Sequence, residues 1–450
     1  MRSLGGFARS TSSLSHVTGA LDSDQLADLL VHADSRGVLA RGSGCSYGDA
    51  AQNAGGTVVS EAGPGHGRAR VVVDPALSVV RAVAGATFEE VLATVVPAGF
   101  VLPVLPGTRR LTVGGALAAD VHGKNQHGDG TVASWVTSLE LVDGTGARRT
   151  LTPDATPDWF RGTLGGMGLT GVVTEATLRL LPLRSTRLRV RSRRTADLDA
   201  TLASLAQSPE RYSVAWVDAS ARGAALGRGV VEAGDHLDEP QADEQDGLVY
   251  RPRWAPTVPP LPVGPVTSAT ARVFNAARFL AAPRQRDDVV EMTPFFHRLD
   301  ALDGWNRAVG PRGFVQYQFA VPDGAEHVLG EALQTLHREG VPCFLATLKR
   351  FGPSSEALLT FARPGWSLAL DLPRGGPSAA TRLGAVLDRL DRRIAEVGGR
   401  IYLCKDGRLA RESFERMYGD GLQDWRRVRG ELDPAGTMRS DLGRRLGLCR

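Results

Sequence analysis

The chain has 450 residues, 42% of them apolar and 23% charged, the composition of a globular protein with core enough for two domains. Its net charge of +4 is a small excess of 53 basic over 49 acidic residues, so nothing in the balance calls for nucleic acid. No apolar run approaches the ~18 residues of a membrane helix, the first residues lack the apolar core of a secretory signal, which makes the expected location cytoplasmic, and four scattered cysteines fit neither a disulfide framework nor a zinc site.

In chain order, residues 20–40 predict a helix capped by Asp22 or Ser23, with Leu26, Leu29, Leu30 and Ala33 on its apolar face. A short strand at Val38, Leu39 and Ala40 then enters Arg41-Gly42-Ser43-Gly44-Cys45-Ser46-Tyr47-Gly48-Asp49. Glycines at that density let successive N–H groups face a phosphate. Strands are expected at 57–59, 69–73 and 78–84, and a helix at 87–96, where Thr87 and Glu90 have capping-box spacing.

That helix delivers the chain into residues 102–125, LPVLPGTRRLTVGGALAADVHGKN, around which the sequence is organised. Pro106-Gly107-Thr108-Arg109 and Thr112-Val113-Gly114-Gly115 form a second small-residue cradle, and a backbone without Cβ atoms lies close to a flat or charged ligand. The stretch continues through Ala119 to His122-Gly123-Lys124-Asn125, two titratable side chains and an amide within four positions. A cradle running into chemistry implies a bound cofactor with its reactive end at His122.

A hairpin follows, with strands at 134–141 and 148–151 around Asp143-Gly144. Gly166-Met167-Gly168-Leu169-Thr170-Gly171 matches GxGxxG, but it opens a β-branched strand, 172–180, instead of a helix, so the Rossmann reading fails and close approach to a flat ligand is the better use. Residues 185–230 alternate strand-like and helix-like pieces. The segment 229–250 carries seven acids and no lysine or arginine, which predicts a solvated, mobile loop. After it come Arg251-Pro252-Arg253-Trp254, a proline-rich run to Pro265 and a basic apolar helix near 269–282, a candidate surface for lipid or an anionic head group.

Residues 313–321 read as a strand with Gln316 and Gln318 on one face and Tyr317 and Phe319 on the other. Strands at 343–349 and 366–372, a long amphipathic helix at 382–398, and Ile401-Tyr402-Leu403-Cys404-Lys405-Asp406 complete the ordered pattern before a last helix and a basic tail. Of the 53 basic residues only Lys124, Lys349 and Lys405 are lysine. In so arginine-rich a chain, surviving lysines mark places where a compact charge that can lose its proton is required.

With those residues laid out, the chain resembles the FAD-linked oxidases of the vanillyl-alcohol oxidase type over nearly its whole length. The glycine motifs at 41–49, 104–109, 112–116, 122–125 and 168–171 carry the cofactor side of the resemblance. Trp305-Asn306-Arg307, Gln316-Tyr317-Gln318-Phe319, Phe351-Gly352-Pro353 and Lys405-Asp406 carry the substrate side. It implies an α+β architecture: a PCMH-type FAD-binding domain of residues 1–184, completed by 400–450, and a substrate domain of 185–399 built on an antiparallel sheet.

The resemblance further implies FAD held without a covalent link, since Cys45 stands where related oxidases often carry a flavin-bonded histidine. Val173 and Tyr402 become further flavin neighbours. Lys405 and His122 become candidates for the base, and Lys124, Trp216, Asn306, Gln316, Gln318, Lys349 and Phe351 the substrate set. The implied reaction is oxidation of the ribose 2-hydroxyl of a polyprenylphosphoryl ribose to the 2-keto sugar. A separate NAD(P)H-dependent short-chain reductase would complete epimerisation to arabinose for cell-wall arabinan. Val214, Ser367 and Ala369 replace polar or sulfur-bearing residues expected around that substrate, which keeps a soluble alditol or aldonolactone oxidase as the alternative. A catalytically idle flavoprotein acting as a scaffold is the other, weakened by the presence of His122, Lys349 and Lys405.

Overall fold

Alternating apolar residues fold most of the chain into three larger β-sheets, and helices cover the faces those sheets cannot leave in water. The computed structural model describes residues 1–19, 21–60, 70–252 and 254–449; Ala20, Ala69, Arg253 and Arg450, which the expectations above include, lie outside them. The first sheet runs in the order Arg2–Gly5, Ser12–Thr18, Thr57–Ser60, Val38–Arg41, with its last three strands parallel. The second is antiparallel, in the order Val71–Asp74, Val79–Val83, Gly171–Arg179, Val136–Asp143, Arg148–Leu151. Its Gly171–Arg179 strand is the one that the GxGxxG run opens.

The third sheet has eight antiparallel strands: Gln285–Glu291, Arg187–Thr195, Gly229–His236, Tyr212–Val217, Leu345–Phe351, Gly365–Pro373, Phe314–Pro322 and Arg400–Ile401. The long helices His327–Arg338 and Pro377–Glu396 bury Leu329, Leu333, Leu336, Val386, Leu387, Leu390 and Ile394 in the core that this sheet shares. The fold is thus α+β, with antiparallel sheets as the resemblance implies. The tail serves both parts: Arg400–Ile401 closes an edge of the large sheet, while helix Arg411–Leu432 lays Trp425 against the Gly162 carbonyl of helix Pro157–Thr163.

Several elements differ from the sequence expectation. The first helix is only Ser23–Val31: Asp22 accepts from the Asp24 and Gln25 N–H groups, and Gln25 reaches back to complete the capping box. The acidic segment is not one loop. Gly229–His236 is an interior strand, paired with Arg187–Thr195 on one side and Tyr212–Val217 on the other, that buries Val230, Val231 and Ala233 and leaves Glu232 and Asp235 on opposite faces. Farther on, buried Glu244 accepts from Ser185 and Thr186. The helix expected at 382–398 starts earlier, at Pro377, where proline needs no hydrogen-bonded N–H.

The contact that positions the site joins the two ends of the chain. Tyr47 N–H donates to the Cys404 carbonyl (2.8 Å). A Cβ on Gly48 would lie 1.7 Å from the Asp406 carbonyl oxygen, so only glycine permits the approach. Arg445 then clamps both loops, donating to Asp49 at 2.8 and 2.9 Å and pairing with Asp406 at 2.9 Å. Removing it strands two largely buried carboxylates, a loss of about 3 kcal/mol or more. Arg445→Ala should therefore lower the melting temperature and weaken cofactor retention together, checked by thermal unfolding and bound-flavin content; an unchanged melting temperature would show that the clamp carries no stability.

Candidate active site

The two glycine-rich turns line one side of a cavity of about 440 Å³, and the large sheet lines the other. The first turn extends the Val38–Arg41 strand, and the Ser43, Gly44, Cys45 and Ser46 N–H groups have no protein acceptor among the described residues. Gly42 packs so closely that a Cβ there would meet Thr112 Oγ1 at 2.0 Å, which welds this turn to the second cradle. Thr112 in turn caps helix Val113–Ala118 by accepting from Gly115 N–H. At Gly107 and Gly168, both on the cavity wall, an added Cβ would meet nothing within 4 Å and would project into open space. Consecutive free N–H groups beside side-chain-free walls fit a pyrophosphate and a flat ring system.

Of the residues expected at the cofactor, Arg41, Gly42, Ser43, Gly44, Cys45, Ser46, Tyr47, Gly107, Thr108, Thr112, Gly114, Gly115, Ala119, His122, Val173 and Tyr402 line the cavity. Four do not. Arg109 turns to Glu89 and Asp300, Val113 is packed in the core, Gly123 lies against Leu105, and Asn125 donates to the Pro103 carbonyl. Each supports the cradle from behind.

On the substrate side Lys124, Trp216, Gln316, Gln318 and Lys349 line the cavity, with Val214, Ser367 and Ala369 beside them. Asn306 does not: its amide donates to the Phe7 carbonyl at 2.5 Å and ties the Trp305–Val309 turn to the N-terminus. Phe351 is fully buried behind His122, its ring edge-on at 4.9 Å between centroids. Sequence reasoning missed Glu232, Arg298 and Asp371, because no local motif marks them, whereas Arg278 lies in the basic helix read as a surface for an anionic head group.

His122 sits in a box of Phe351, Phe361 and Tyr402, with Nε2 2.9 Å from the Gln318 amide nitrogen. Gln318 also donates to Ser367 Oγ (3.1 Å). Burial, reinforced by Lys349 and Lys405, holds the imidazole well below its ordinary value. A neutral ring whose Nε2 lone pair accepts from Gln318 orients that amide; its basicity is already engaged.

The three lysines all reach the cavity. Lys405 places Nζ 3.7 Å from the centre of the Tyr47 ring, on the cradle side. Burial lowers its pKa, while Cys404, Asp371 and Cys45 oppose the shift. Lys349 is brought down to about 7 by burial and by the like charges of Lys124 and Lys405. Lys124 falls to about 8 through burial, with Glu232 opposing, and donates to the Phe295 carbonyl at 2.7 Å. Asp371 lies behind this face and accepts from Gln316 at 2.7 Å; burial pushes it up to about 7. At the mouth Arg298 holds Glu232 with two bonds of 2.8 and 3.0 Å, and Arg278 stacks over Trp216 at 4.7 Å. No group of residues suited to a metal ion occurs among those described.

Comparison with known proteins agrees with this geometry. A family model described as an FAD binding domain matches residues 16–152. The chain is 36% identical over 455 residues to decaprenylphosphoryl-β-D-ribose oxidase of Mycolicibacterium smegmatis, covering 98% of this chain and 97% of that protein. The chain belongs to the decaprenylphosphoryl-β-D-ribose oxidase family of FAD-binding oxidases. More distantly, a putative D-arabinono-1,4-lactone oxidase of Neurospora crassa is 23% identical over 389 residues, covering 76% of this chain and 67% of that protein. A probable L-gulonolactone oxidase of Arabidopsis thaliana is 29% identical over 140 residues, 30% of this chain and 23% of its own. The protein is therefore an FAD-dependent oxidoreductase.

Cys45 bears on how FAD is held. Burial pushes its thiol up to about 11, against the pull of Lys405, so it stays protonated and a poor nucleophile at neutral pH. Acid precipitation should release yellow FAD into the supernatant. Flavin kept in the pellet by the native protein, and lost in Cys45→Ala, would establish a thioether instead.

Proposed function

We propose that this enzyme oxidises the 2-hydroxyl of a polyprenylphosphoryl-β-D-ribose to the 2-keto sugar. The observation that carries the reading is the convergence of Lys405, Gln316, Gln318 and Lys349 on the open face of the FAD cradle, in a chain collinear with the mycobacterial ribose oxidase over almost its full length. FAD bound in the cradle supplies the hydride acceptor. The protein's own part is to hold the sugar, remove a proton and keep water out.

Lys405 is the base. It stands on the cofactor side, against Tyr47, and its lowered pKa raises the fraction of free amine that accepts the 2-hydroxyl proton at Nζ. Gln316 is pinned by Asp371, and Gln318 by His122 and Ser367, so both amides meet the sugar in fixed orientation. The phosphate belongs at the mouth, where Lys124, Arg278 and Arg298 outnumber the single carboxylate of Glu232. Burial raises Glu232, but Lys124 and Arg298 overcome it and keep it charged. Lys349 lies between the two and holds the ring. The keto product then requires an NAD(P)H-dependent reductase, a separate short-chain enzyme, to finish the epimerisation to arabinose.

The lipid tail leads past helix Ser268–Ala281. That helix is anchored inward by Ala271, by Asn275 on the Cys343 carbonyl and by Arg278 at the cavity. Outward it presents Val273, Phe274 and Leu280, the last 71% exposed, alongside Trp254 at 85% and Val263. No helix among the described residues is long and apolar enough to cross a membrane. We assign this surface to peripheral contact with the lipid that bears the substrate, at the cytoplasmic face.

Two experiments test these assignments. Lys405→Arg keeps the charge and removes the accessible free amine. It should retain FAD yet slow anaerobic flavin reduction by polyprenylphosphoryl ribose by at least ~100-fold. Because the free amine is the active form, the native rate should rise with pH through a midpoint below the ordinary lysine value of 10.5, and the variant should lose that limb. Near-native reduction in Lys405→Arg would move the base elsewhere, and reduction by xylitol but not by the lipid-linked sugar would favour an alditol oxidase. In the second, Phe274→Ser with Leu280→Ser should raise KM for a long-chain substrate on the order of tenfold and leave a short-chain analogue unchanged. Equal effects on both would make the helix purely structural.

A further inference from the structure

Lys405 and Gln316 form the wall between the active-site cavity and a second recess, of about 870 Å³. Three turns build it. The N-terminal turn contributes Arg9, the turn before strand Phe314–Pro322 contributes Arg312, and the turn after strand Gly365–Pro373 contributes Arg374. Backbone hydrogen bonds fix them to one another: Phe314 N–H donates to the Ala8 carbonyl (3.0 Å) and Arg374 N–H to the Gly313 carbonyl (3.2 Å). Arg374 Nη1 also donates to the Ser10 carbonyl at 2.9 Å. Arg9 holds a left-handed backbone, with φ of 59°, which a residue with a side chain adopts only under constraint.

The charge in this recess is not balanced by the protein. Arg9, Arg312, Arg374, Lys405 and Arg408 line it; Arg408 is neutralised by Asp388, the only acidic residue of the lining among the described residues, and by Asp391 behind it. Arg9 Nη1 is buried with no hydrogen-bond partner, and neither Arg9 nor Arg312 pairs with a carboxylate among the described residues. The 20-residue helix Pro377–Glu396 also points its N-terminus here, and its cap residue, Gly376, offers no side chain to satisfy the first N–H groups. Arg312 Nη1 lies 3.8 Å from where a Cβ of Gly376 would be, so a guanidinium stands beside the positive end of a helix dipole. Two like-signed elements held together by the fold, next to an unpartnered guanidinium nitrogen, are stable neighbours once an anion sits between them.

We infer that this recess is a second binding site, for a soluble phosphate-bearing molecule. Its phosphate is held by Arg9, Arg312, Arg374 and the first turn of helix Pro377–Glu396, and its organic part lies along Val315, Pro377 and Ala380. The site does not depend on which sugar the active site oxidises. It does touch that chemistry through the shared wall. An anion in the recess favours the ammonium form of Lys405 over the free amine, and so slows proton removal at a given pH.

The test uses the FAD-loaded protein. Inorganic phosphate, pyrophosphate and ribose 5-phosphate are titrated by calorimetry against sodium chloride of matched ionic strength. At least one should bind saturably. Arg312→Glu with Arg374→Glu, both exposed side chains, should weaken that binding by tenfold or more, while Arg222→Glu, remote and exposed, should leave it unchanged. Arg312→Gln with Arg374→Gln serves as a second variant, and flavin content and melting temperature report that each is folded. The bound anion should also move the pH limb of flavin reduction upward in the native protein and not in the reversed variant. No saturable binding by any of the three, or binding that survives the charge reversal, overturns the site. A pH limb that stays in place under saturating anion overturns its link to Lys405.

Discussion

The structure depends on a junction between sequence ends: the loop of Tyr47, Gly48 and Asp49 meets the loop of Cys404, Lys405 and Asp406. Arg445 locks it through Asp49, 396 positions away in sequence. The junction decides function because each loop alone is incomplete. The first continues the turn whose Ser43–Ser46 N–H groups are free at the cavity, and the second carries Lys405 with no means of its own to place it. A tight glycine approach and a bidentate arginine supply rigidity in the currency that suits a catalytic group, since a side chain displaced by an ångström loses much of its effect. The Tyr47 ring serves both: its edge packs on Phe314 and its face receives Lys405.

The second constraint is electrostatic. Three lysines share one cavity, and burial lowers the pKa of each; for Lys349 the like charges of the other two add to the shift. Stability alone would replace them. What the arrangement yields is a set of amines whose burial favours the uncharged form, beside an imidazole that burial, with Lys349 and Lys405, keeps neutral. Burial thus acts on both groups: it leaves His122 neutral and hydrogen-bonded to Gln318, and it shifts Lys405 toward the free amine that the proposed reaction needs.

Much of this was legible in the sequence, for physical reasons that differ by element. The glycine turns were legible because only glycine tolerates the required closeness, and the lysines because arginine dominates everywhere else. Gln316 and Gln318 were legible from strand alternation. The acidic stretch misled because charge density was weighed above the pairing that makes Gly229–His236 an interior strand and points Glu232 at the cavity. Asn306 and Phe351 lie in motifs that belong to the site yet act behind it, one tying down the N-terminus and the other backing His122. Arg298 and Asp371 had no local signature; their meaning exists only once the large sheet has closed.

Asp371 shows what the closed sheet adds. It pairs in register with Gln316 on the neighbouring strand, accepts that amide's hydrogen bond and keeps its second oxygen buried and unpartnered. Burial drives Lys405 toward the free amine, whereas Asp371, with Cys404 and Cys45, pulls it back toward the ammonium. A base is most effective when neither tendency wins outright, since too low a pKa leaves it unable to keep the proton and too high a pKa leaves it rarely free. The same carboxylate that fixes the Gln316 amide therefore also bears on the basicity of Lys405, the group proposed as base. Orientation and basicity are coupled through one buried side chain, so a change at Asp371 alters both at once.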